Sequence, residues 1–147
     1  MDILKDKTNQ NILLAGGLLL IAYYTIIKPV GNIFTPSKDE ILSDDLGKKL
    51  DPYFNINFYK KGGYILTNAA SYSLTGQIKD AIGIFYDEES KIYAAFKILK
   101  YKTQVSYLCY KYYERYNKDL LTDLKQNFNA KEMLPIYQHI DNLPLGR

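Results

Sequence analysis

The feature that most constrains this chain is an unbroken apolar run near its N-terminus, ILLAGGLLLIAYYTII at residues 12–27. Its sixteen residues are slightly fewer than the roughly 20 that span a bilayer as a helix. Lys28 closes the run and can extend it by placing its ammonium group among the lipid headgroups. Tyr23 and Tyr24 lie at the C-terminal end, where interfacial aromatic residues are enriched. The pattern predicts a single transmembrane anchor over residues 1–28, with these two tyrosines and the lysine at the membrane interface.

A secretory signal peptide and a buried core helix are the two alternatives to an anchor. A signal peptide normally has a shorter apolar segment, followed by small residues at a cleavage site. Here the run is followed by KPVGNIF, which has no such site. A core helix normally carries a polar stripe, and residues 12–27 have none. The anchor is therefore the preferred interpretation.

Composition limits the chemistry available to the rest of the chain. The chain has one cysteine, Cys109, and one histidine, His139. A catalytic centre of the Cys/His or Ser/His/Asp type could therefore use only this one imidazole. A zinc site would need carboxylates in place of its usual ligands. The net charge of +3 comes without the basic stripe that nucleic-acid-binding proteins show. We expect no cofactor, no nucleic-acid partner and no enzymatic activity.

Residues 29–66 are expected to connect the anchor to a helical domain. A linker with Pro and Gly leads to a capping box, S-K-D-E at residues 37–40, which opens a short helix over 38–46. Gly47 is expected to end this helix. Residues 51–63, in which aromatic and asparagine residues alternate, are expected to form a short extended arm across the helices that follow.

The domain over residues 67–147 is expected to be all-α, because its apolar residues recur with the helical period in five segments. The predicted core faces of the five helices are, in chain order, Ala70, Leu74, Ile78, Ala81 and Ile82; Ile92, Ala95, Phe96 and Leu99; Val105, Leu108, Cys109, Tyr112, Tyr113 and Tyr116; Leu120, Leu121 and Leu124; and Met133, Ile136, Tyr137 and Ile140. Asp87 is expected to cap the second helix and Thr103 the third. Asn129 opens the fifth, which Pro135 is expected to kink or delay.

Part of this domain resembles an annexin repeat. The likeness rests on the loop GIFYDE at 83–88 and on the run KDLLTDLK at 118–125, and it extends over about residues 67–142. Annexin repeats have five helices, with such a loop opening the second and such a run forming the fourth. The resemblance therefore implies a five-helix annexin-like fold.

Annexins bind membranes through calcium ions, and the resemblance also implies which residues of this chain would occupy the calcium site. The residues at the matching positions are Gly83, Asp87, Glu88 and Asn127. In the annexin pattern the loop supplies carbonyl oxygens and the distant position supplies a carboxylate, both suited to calcium. Here Phe85 and Tyr86 replace a glycine and a threonine, and the distant residue is an amide. We therefore expect a degenerate loop that binds no metal.

The arrangement of one repeat behind an anchor is similar to small proteins of bacteria and their viruses, whereas annexins stack four repeats. The resemblance implies a structural or interaction protein of a phage virion, associated with its membrane or capsid, or of a bacterial envelope. Its partners would be the lipid bilayer and a capsid or envelope protein, and oligomers are possible. Tyr is favoured at protein interfaces, and the chain has fifteen. The interaction candidates outside the predicted core faces are Phe85, Tyr86, Tyr107 and Tyr110.

Two other functions are kept open. The first is a peripheral membrane-binding module that uses residues 84–86 as an apolar finger. The second is a wall-degrading enzyme, which would need a carboxyl group with a raised pKa in a cleft. Glu114, beside the tyrosines of the third helix, is the candidate for that role.

Overall fold

A computed structural model describes residues 36–83 and 88–146 of this 147-residue chain. The helices in this part are α1 (Lys38–Phe54), a 3-10 helix (Phe58–Lys61), α2 (Asn68–Ala81), α3 (Glu89–Lys97), α4 (Lys102–Tyr116), α5 (Leu120–Asn127) and α6 (Ala130–Asp141). There is no β-strand in the described ranges, so the all-α prediction is confirmed for them. The five helices expected after residue 67 are α2 to α6.

The predicted anchor, with Tyr23, Tyr24 and Lys28, lies outside the described residues. Within the described ranges, no helix combines the length and the apolar character needed to span a bilayer.

The start of α1 confirms the capping box. The Ser37 Oγ accepts a hydrogen bond from the Glu40 N–H at 3.2 Å, and the Glu40 carboxylate accepts one from the Ser37 N–H at 2.5 Å. These bonds use backbone donors that would otherwise be unpaired at a helix N-terminus.

The end predicted for this helix is wrong, because α1 continues past Gly47 to Phe54. Gly47 is buried against α6, and a Cβ at this position would lie 3.3 Å from the Tyr137 ring. The glycine therefore serves close contact between two helices and does not terminate the first. The continuation places Leu50 in the core, fully buried, together with Phe54, which is 3% exposed.

The extended arm predicted over residues 51–63 is also wrong in conformation. Its first four residues finish α1, and Phe58–Lys61 form the 3-10 helix. The expected contacts are nevertheless present, since Phe58 is buried and Tyr59 packs its ring against Tyr107 and Tyr110 of α4.

The core forms where the predicted faces of the helices meet. The fully buried side chains include Ile78, Ile92, Phe96, Leu108, Tyr112, Leu120, Leu124 and Ile140. One predicted core position is wrong, since Tyr113 is 46% exposed. Four others are only partly buried, namely Ala70, Ile82, Tyr116 and Leu121. Every residue of α4 from Thr103 to Cys109 is buried, whereas Tyr112 is the only fully buried residue beyond them. The neighbouring elements therefore cover the first half of α4 on more sides than its second half.

The N-terminus of α4 is capped by a distant segment and not by Thr103 as predicted. Tyr101 precedes the helix, and the Thr103 hydroxyl donates to the Tyr64 carbonyl at 2.6 Å. The N–H groups of Lys102 and Thr103 donate to the carbonyls of Pro144 and Leu145. Two residues some forty positions away thus supply the acceptors that a local cap would have provided.

Of the other two predicted caps, Asn129 is confirmed, whereas the cap of α3 differs from the prediction. Asn129 caps α6 and forms a capping box with Glu132, so the helix begins at Ala130 and Pro135 does not delay its start. At α3 the N-cap position is held by Glu88 and not by Asp87, which lies outside the described residues. The Glu88 side chain makes no capping bond and pairs with Lys91.

Candidate functional site

A cleft of about 270 Å³ lies between α2 and α4. Its lining residues are Asn68, Ser71, Tyr72 and Thr75 from α2 and Lys111, Glu114 and Arg115 from α4. Each set is spaced by three or four residues, so that each set occupies one face of its helix. We call this site the tyrosine-lined cleft, because Tyr72 lines it and three more tyrosines adjoin it.

The centre of the cleft is a stacked pair, Tyr72 and Arg115. The Arg115 Cζ lies 3.7 Å from the centroid of the Tyr72 ring. Its Nη1 donates to the Tyr72 carbonyl at 2.8 Å and to the Thr75 Oγ1 at 3.3 Å. A Cβ on Gly76 would come within 3.3 Å of Nη1, so the glycine leaves room for the guanidinium. Arg115 has no ion-pair partner among the described residues, and its positive charge is held in place while facing solvent.

Tyr107 lies beneath this surface, and the expectation that it would be an exposed contact residue is wrong. It is 7% exposed, and its hydroxyl donates to the Asn68 Oδ1 at 3.0 Å. The ring of Tyr59, in the 3-10 helix, covers it with a centroid separation of 5.1 Å. Tyr110 is partly buried beside Tyr59, at 5.4 Å between centroids. These tyrosines form one wall next to the cleft.

A charged pair, Lys111 and Glu114, forms the end of the cleft nearest to these tyrosines. The Lys111 Nζ lies 2.7 Å from the Glu114 Oε2, and the Tyr110 hydroxyl donates to Oε1 at 3.2 Å. The hydrogen bond from Lys111 lowers the pKa of Glu114, and the same bond raises the pKa of Lys111. Both groups are charged at neutral pH. This shift of Glu114 is opposite to the raised pKa that a general acid requires.

Of the annexin-type positions, the described residues Gly83, Glu88 and Asn127 do not line this cleft. Phe85, Tyr86 and Asp87 lie outside the described residues, and Gly83 and Glu88 border that gap. Asn127 lies in the last turn of α5, where its Nδ2 donates to the Asp123 carbonyl at 2.6 Å. Within residues 36–83 and 88–146, no three His, Cys, Asp or Glu side chains come together in a way that would hold a metal ion.

Of the seven residues that line the cleft, only Glu114 was a candidate from the sequence. Tyr72 carried a usable signal in the sequence, because it is an aromatic residue on the polar face of a predicted amphipathic helix. In the structure its side chain is 64% exposed. Arg115 carried none, since its partners on α2 lie some forty residues away in the sequence. Comparison of the chain with protein-family models, curated proteins and solved structures returns no match. The side chains of the cleft are therefore the basis for a functional proposal.

Proposed function

We propose that this protein is a membrane-anchored structural or interaction protein whose helical domain docks on a protein partner through the tyrosine-lined cleft. The apolar run over residues 12–27 supports the anchor. The resemblance to small single-repeat proteins of bacteria and their viruses favours a capsid or envelope protein as the partner. The observation that carries the docking proposal is the solvent-facing stack of Arg115 on Tyr72.

Tyr and Arg are the side chains expected at the centre of such an interface. Both are enriched in interface cores and among the few residues that contribute most of the binding energy. Immobilising a long side chain on binding costs about 0.5–1.5 kcal/mol. Arg115 is already held by its ring contact and two hydrogen bonds, so much of this cost is met in the free protein.

The charges of the cleft indicate what the partner should present. Lys111 and Glu114 neutralise each other across 2.7 Å, which leaves the positive charge of Arg115 unpaired among the described residues. A carboxylate or a cluster of carbonyl oxygens on the partner would complement this positive charge. The geometry of a carboxylate also suits the planar guanidinium. An aromatic or aliphatic side chain beside it would cover the exposed ring of Tyr72.

The proposal is tested with the full-length chain in the cells or particles that produce it. A photo-crosslinking amino acid replaces Tyr72 or, as a matched control, Tyr113, which is also exposed but does not line the cleft. We expect the chain to remain with membranes after alkaline carbonate extraction. We also expect one partner, identified by mass spectrometry, to be cross-linked from position 72 and not from position 113.

An Arg115→Ala variant completes the test. Removing an interface residue of this importance costs about 2 kcal/mol or more, so co-purification of the partner should fall by a factor of about thirty. The proposal is wrong if carbonate releases the chain, if positions 72 and 113 give the same products, or if the Arg115→Ala variant retains its partner.

A further inference from the structure

A second groove, of about 380 Å³, lies where α1 passes the start of α6 and the end of α5. It shares no lining residue with the tyrosine-lined cleft. Its floor includes the hydroxyl groups of Ser43 and Tyr137, whose side chains are 1% and 3% exposed. We call it the α1–α6 groove.

The two hydroxyl groups of the groove have no hydrogen-bond partner among the described residues. Neither is sealed away from the groove, because no fully enclosed side-chain oxygen or nitrogen in the described part lacks a partner. The buried hydroxyls elsewhere in these ranges are bonded, namely those of Ser71, Thr75, Thr103, Ser106, Tyr107 and Tyr112. Buried polar groups are as a rule hydrogen-bonded. The hydroxyl groups of Ser43 and Tyr137 instead open on one groove, where both are available to a single bound group.

The residue that keeps this floor open is Gly47. A Cβ here would lie 3.4 Å from the Tyr137 Oη and 3.3 Å from the ring, and a longer side chain would cover the hydroxyl. Phe128 and Met133, which are 6% and 2% exposed, form an apolar part of the lining. The groove thus combines an apolar wall with two free hydroxyl groups.

Four charged residues line the groove: Asp44, Lys48, Asp51 and Lys125. Lys125 Nζ is 3.8 Å from Asp51 Oδ1, and both side chains are at least half exposed. Asp44 and Lys48 have no ion pair within the described residues. A short aspartate keeps its carboxylate close to α1, whereas a lysine ammonium on a four-carbon stem can turn into water. The lining thus includes two carboxylates held near the floor, of which Asp44 has no ion pair with a lysine among the described residues.

The pKa of the Tyr137 phenol reflects the carboxylates near the floor of the groove. Burial, and after it the negative charges of Asp51 and Asp44, raise the pKa of Tyr137 to about 12. These two carboxylates therefore act on the hydroxyl, and their negative charges favour a cationic donor there.

We propose that the α1–α6 groove binds the side chain of a lysine or arginine presented by a protein partner. The alkyl stem lies against Phe128 and Met133. The cationic N–H groups donate to the two free hydroxyl groups and to the carboxylates of Asp44 and Asp51. The inference rests on the proposed function only in that a protein carries the cation, since binding of the cation itself does not require the tyrosine-lined cleft.

The test uses the full-length chain in maltoside micelles, whose headgroup carries no charge, with its tyrosine rings labelled with carbon-13. The probe is N-acetylarginine amide, and its uncharged analogue N-acetylcitrulline amide is the control. The Tyr137 ring signal is identified as the one lost in Tyr137→Phe. We expect it to shift saturably with the arginine probe, with a dissociation constant in the millimolar range usual for so small a ligand. The citrulline analogue should leave it in place.

Variants of α1 provide the matched comparison. Replacing both groove carboxylates (Asp44→Asn with Asp51→Asn) should weaken binding of the arginine probe at least tenfold. Asp45→Asn should leave binding unchanged, because Asp45 neighbours Asp44 in the helix but does not line the groove. Ser43→Ala should weaken binding severalfold. Thermal unfolding of each variant shows whether the domain is still folded.

Three results would overturn the inference. Equal shifts with citrulline would show that charge is not recognised, and shifts with inorganic phosphate in place of arginine would show an anion site. No shift with any probe would show that the groove holds water only. Because the probe is a free small molecule, its failure leaves docking at Tyr72 and Arg115 untouched. Loss of that docking with the arginine shift retained would overturn the proposed function alone.

Discussion

The hydroxyl of Tyr112 donates a hydrogen bond to the Asp123 Oδ2 across 2.6 Å and joins the middle of α4 to α5. Tyr112 is fully buried and Asp123 is 4% exposed. Lys118 lies 3.2 Å and Lys79 of α2 lies 3.5 Å from the same carboxylate. One buried negative charge thus connects three helices of the domain.

Tyr112→Phe should destabilise the domain while leaving its ring packing in place. A hydrogen bond to a charged group contributes about 1.5–3 kcal/mol, and the variant leaves the buried carboxylate with one partner fewer. The free energy of unfolding, measured by urea titration of the full-length chain in micelles, should fall by this amount. Tyr113→Phe is the matched control, because Tyr113 is exposed and should change stability by less than about 0.5 kcal/mol. Equal effects of the two variants would contradict the role of Tyr112.

Asp123 should make stability depend on pH in the acid range. Burial by itself raises the pKa of Asp123, but the hydrogen bonds from Tyr112 and Lys118 and the charge of Lys79 outweigh it, so the pKa lies below 3.8. A folded-state pKa below the unfolded value adds stability that is fully present above the unfolded pKa and is lost as pH falls through the folded one. The difference in unfolding free energy between the natural chain and Asp123→Asn should therefore shrink as pH falls below about 4. A difference that stays constant from about pH 6 to pH 3 would contradict this.

Gly146→Ala should be among the most destabilising changes near the C-terminus. Gly146 has φ +82°, and a Cβ there would lie 2.6 Å from the Tyr101 Cβ. The residues next to it, Pro144 and Leu145, cap α4 through their carbonyls. Backbone strain and the clash together should cost about 2–4 kcal/mol, measured as a lower thermal midpoint. Gly62→Ala is the control, since φ is +95° but no atom lies within 4 Å of its Cβ position; it should cost about 1 kcal/mol. The same loss for both would show that the C-terminal segment is not held in place.

Leu19→Lys should disturb membrane insertion, although this residue lies outside the described part of the chain. A lysine at the centre of a transmembrane helix costs at least about 2.5 kcal/mol on insertion scales. The fraction of the chain that resists carbonate extraction should fall. Leu42→Lys introduces the same charge on α1, where Leu42 is already 44% exposed, and should leave the fraction unchanged. Retention of Leu19→Lys in membranes would mean that partner contacts hold the protein there.

Calcium should not be needed for membrane association. The amide of Asn127, which the resemblance to annexin repeats matches to a carboxylate, donates to the Asp123 carbonyl and brings no negative charge. Calorimetric titration of the full-length chain with calcium, up to the millimolar range of weak extracellular sites, should show no saturable heat. Saturable binding that disappears in Asp87→Ala would reverse this expectation and favour an annexin-like module.

The sequence by itself determined those features that depend on residues within about four positions of one another. The capping box at Ser37, the helix start at Asn129 and the spacing of Leu74 with Ile78 are of this kind, and each is present where expected. Asn117 follows α4 and ends it with a φ of +51°. A short polar side chain tolerates this left-handed backbone, so the residue type alone carries the signal.

The tertiary structure determined the conformation and burial of a residue wherever a distant segment competes with its local preference. Gly47 does not end α1, because contact with the Tyr137 ring requires a residue without a side chain inside the helix. Thr103 does not cap α4, because its hydroxyl bonds to Tyr64, and Tyr107 is not on the surface, because Tyr59 covers it. The stacking of Arg115 on Tyr72 depends in the same way on how α2 and α4 pack. Helical period and capping are local energies, whereas these contacts arise only when helices far apart in the chain are brought together.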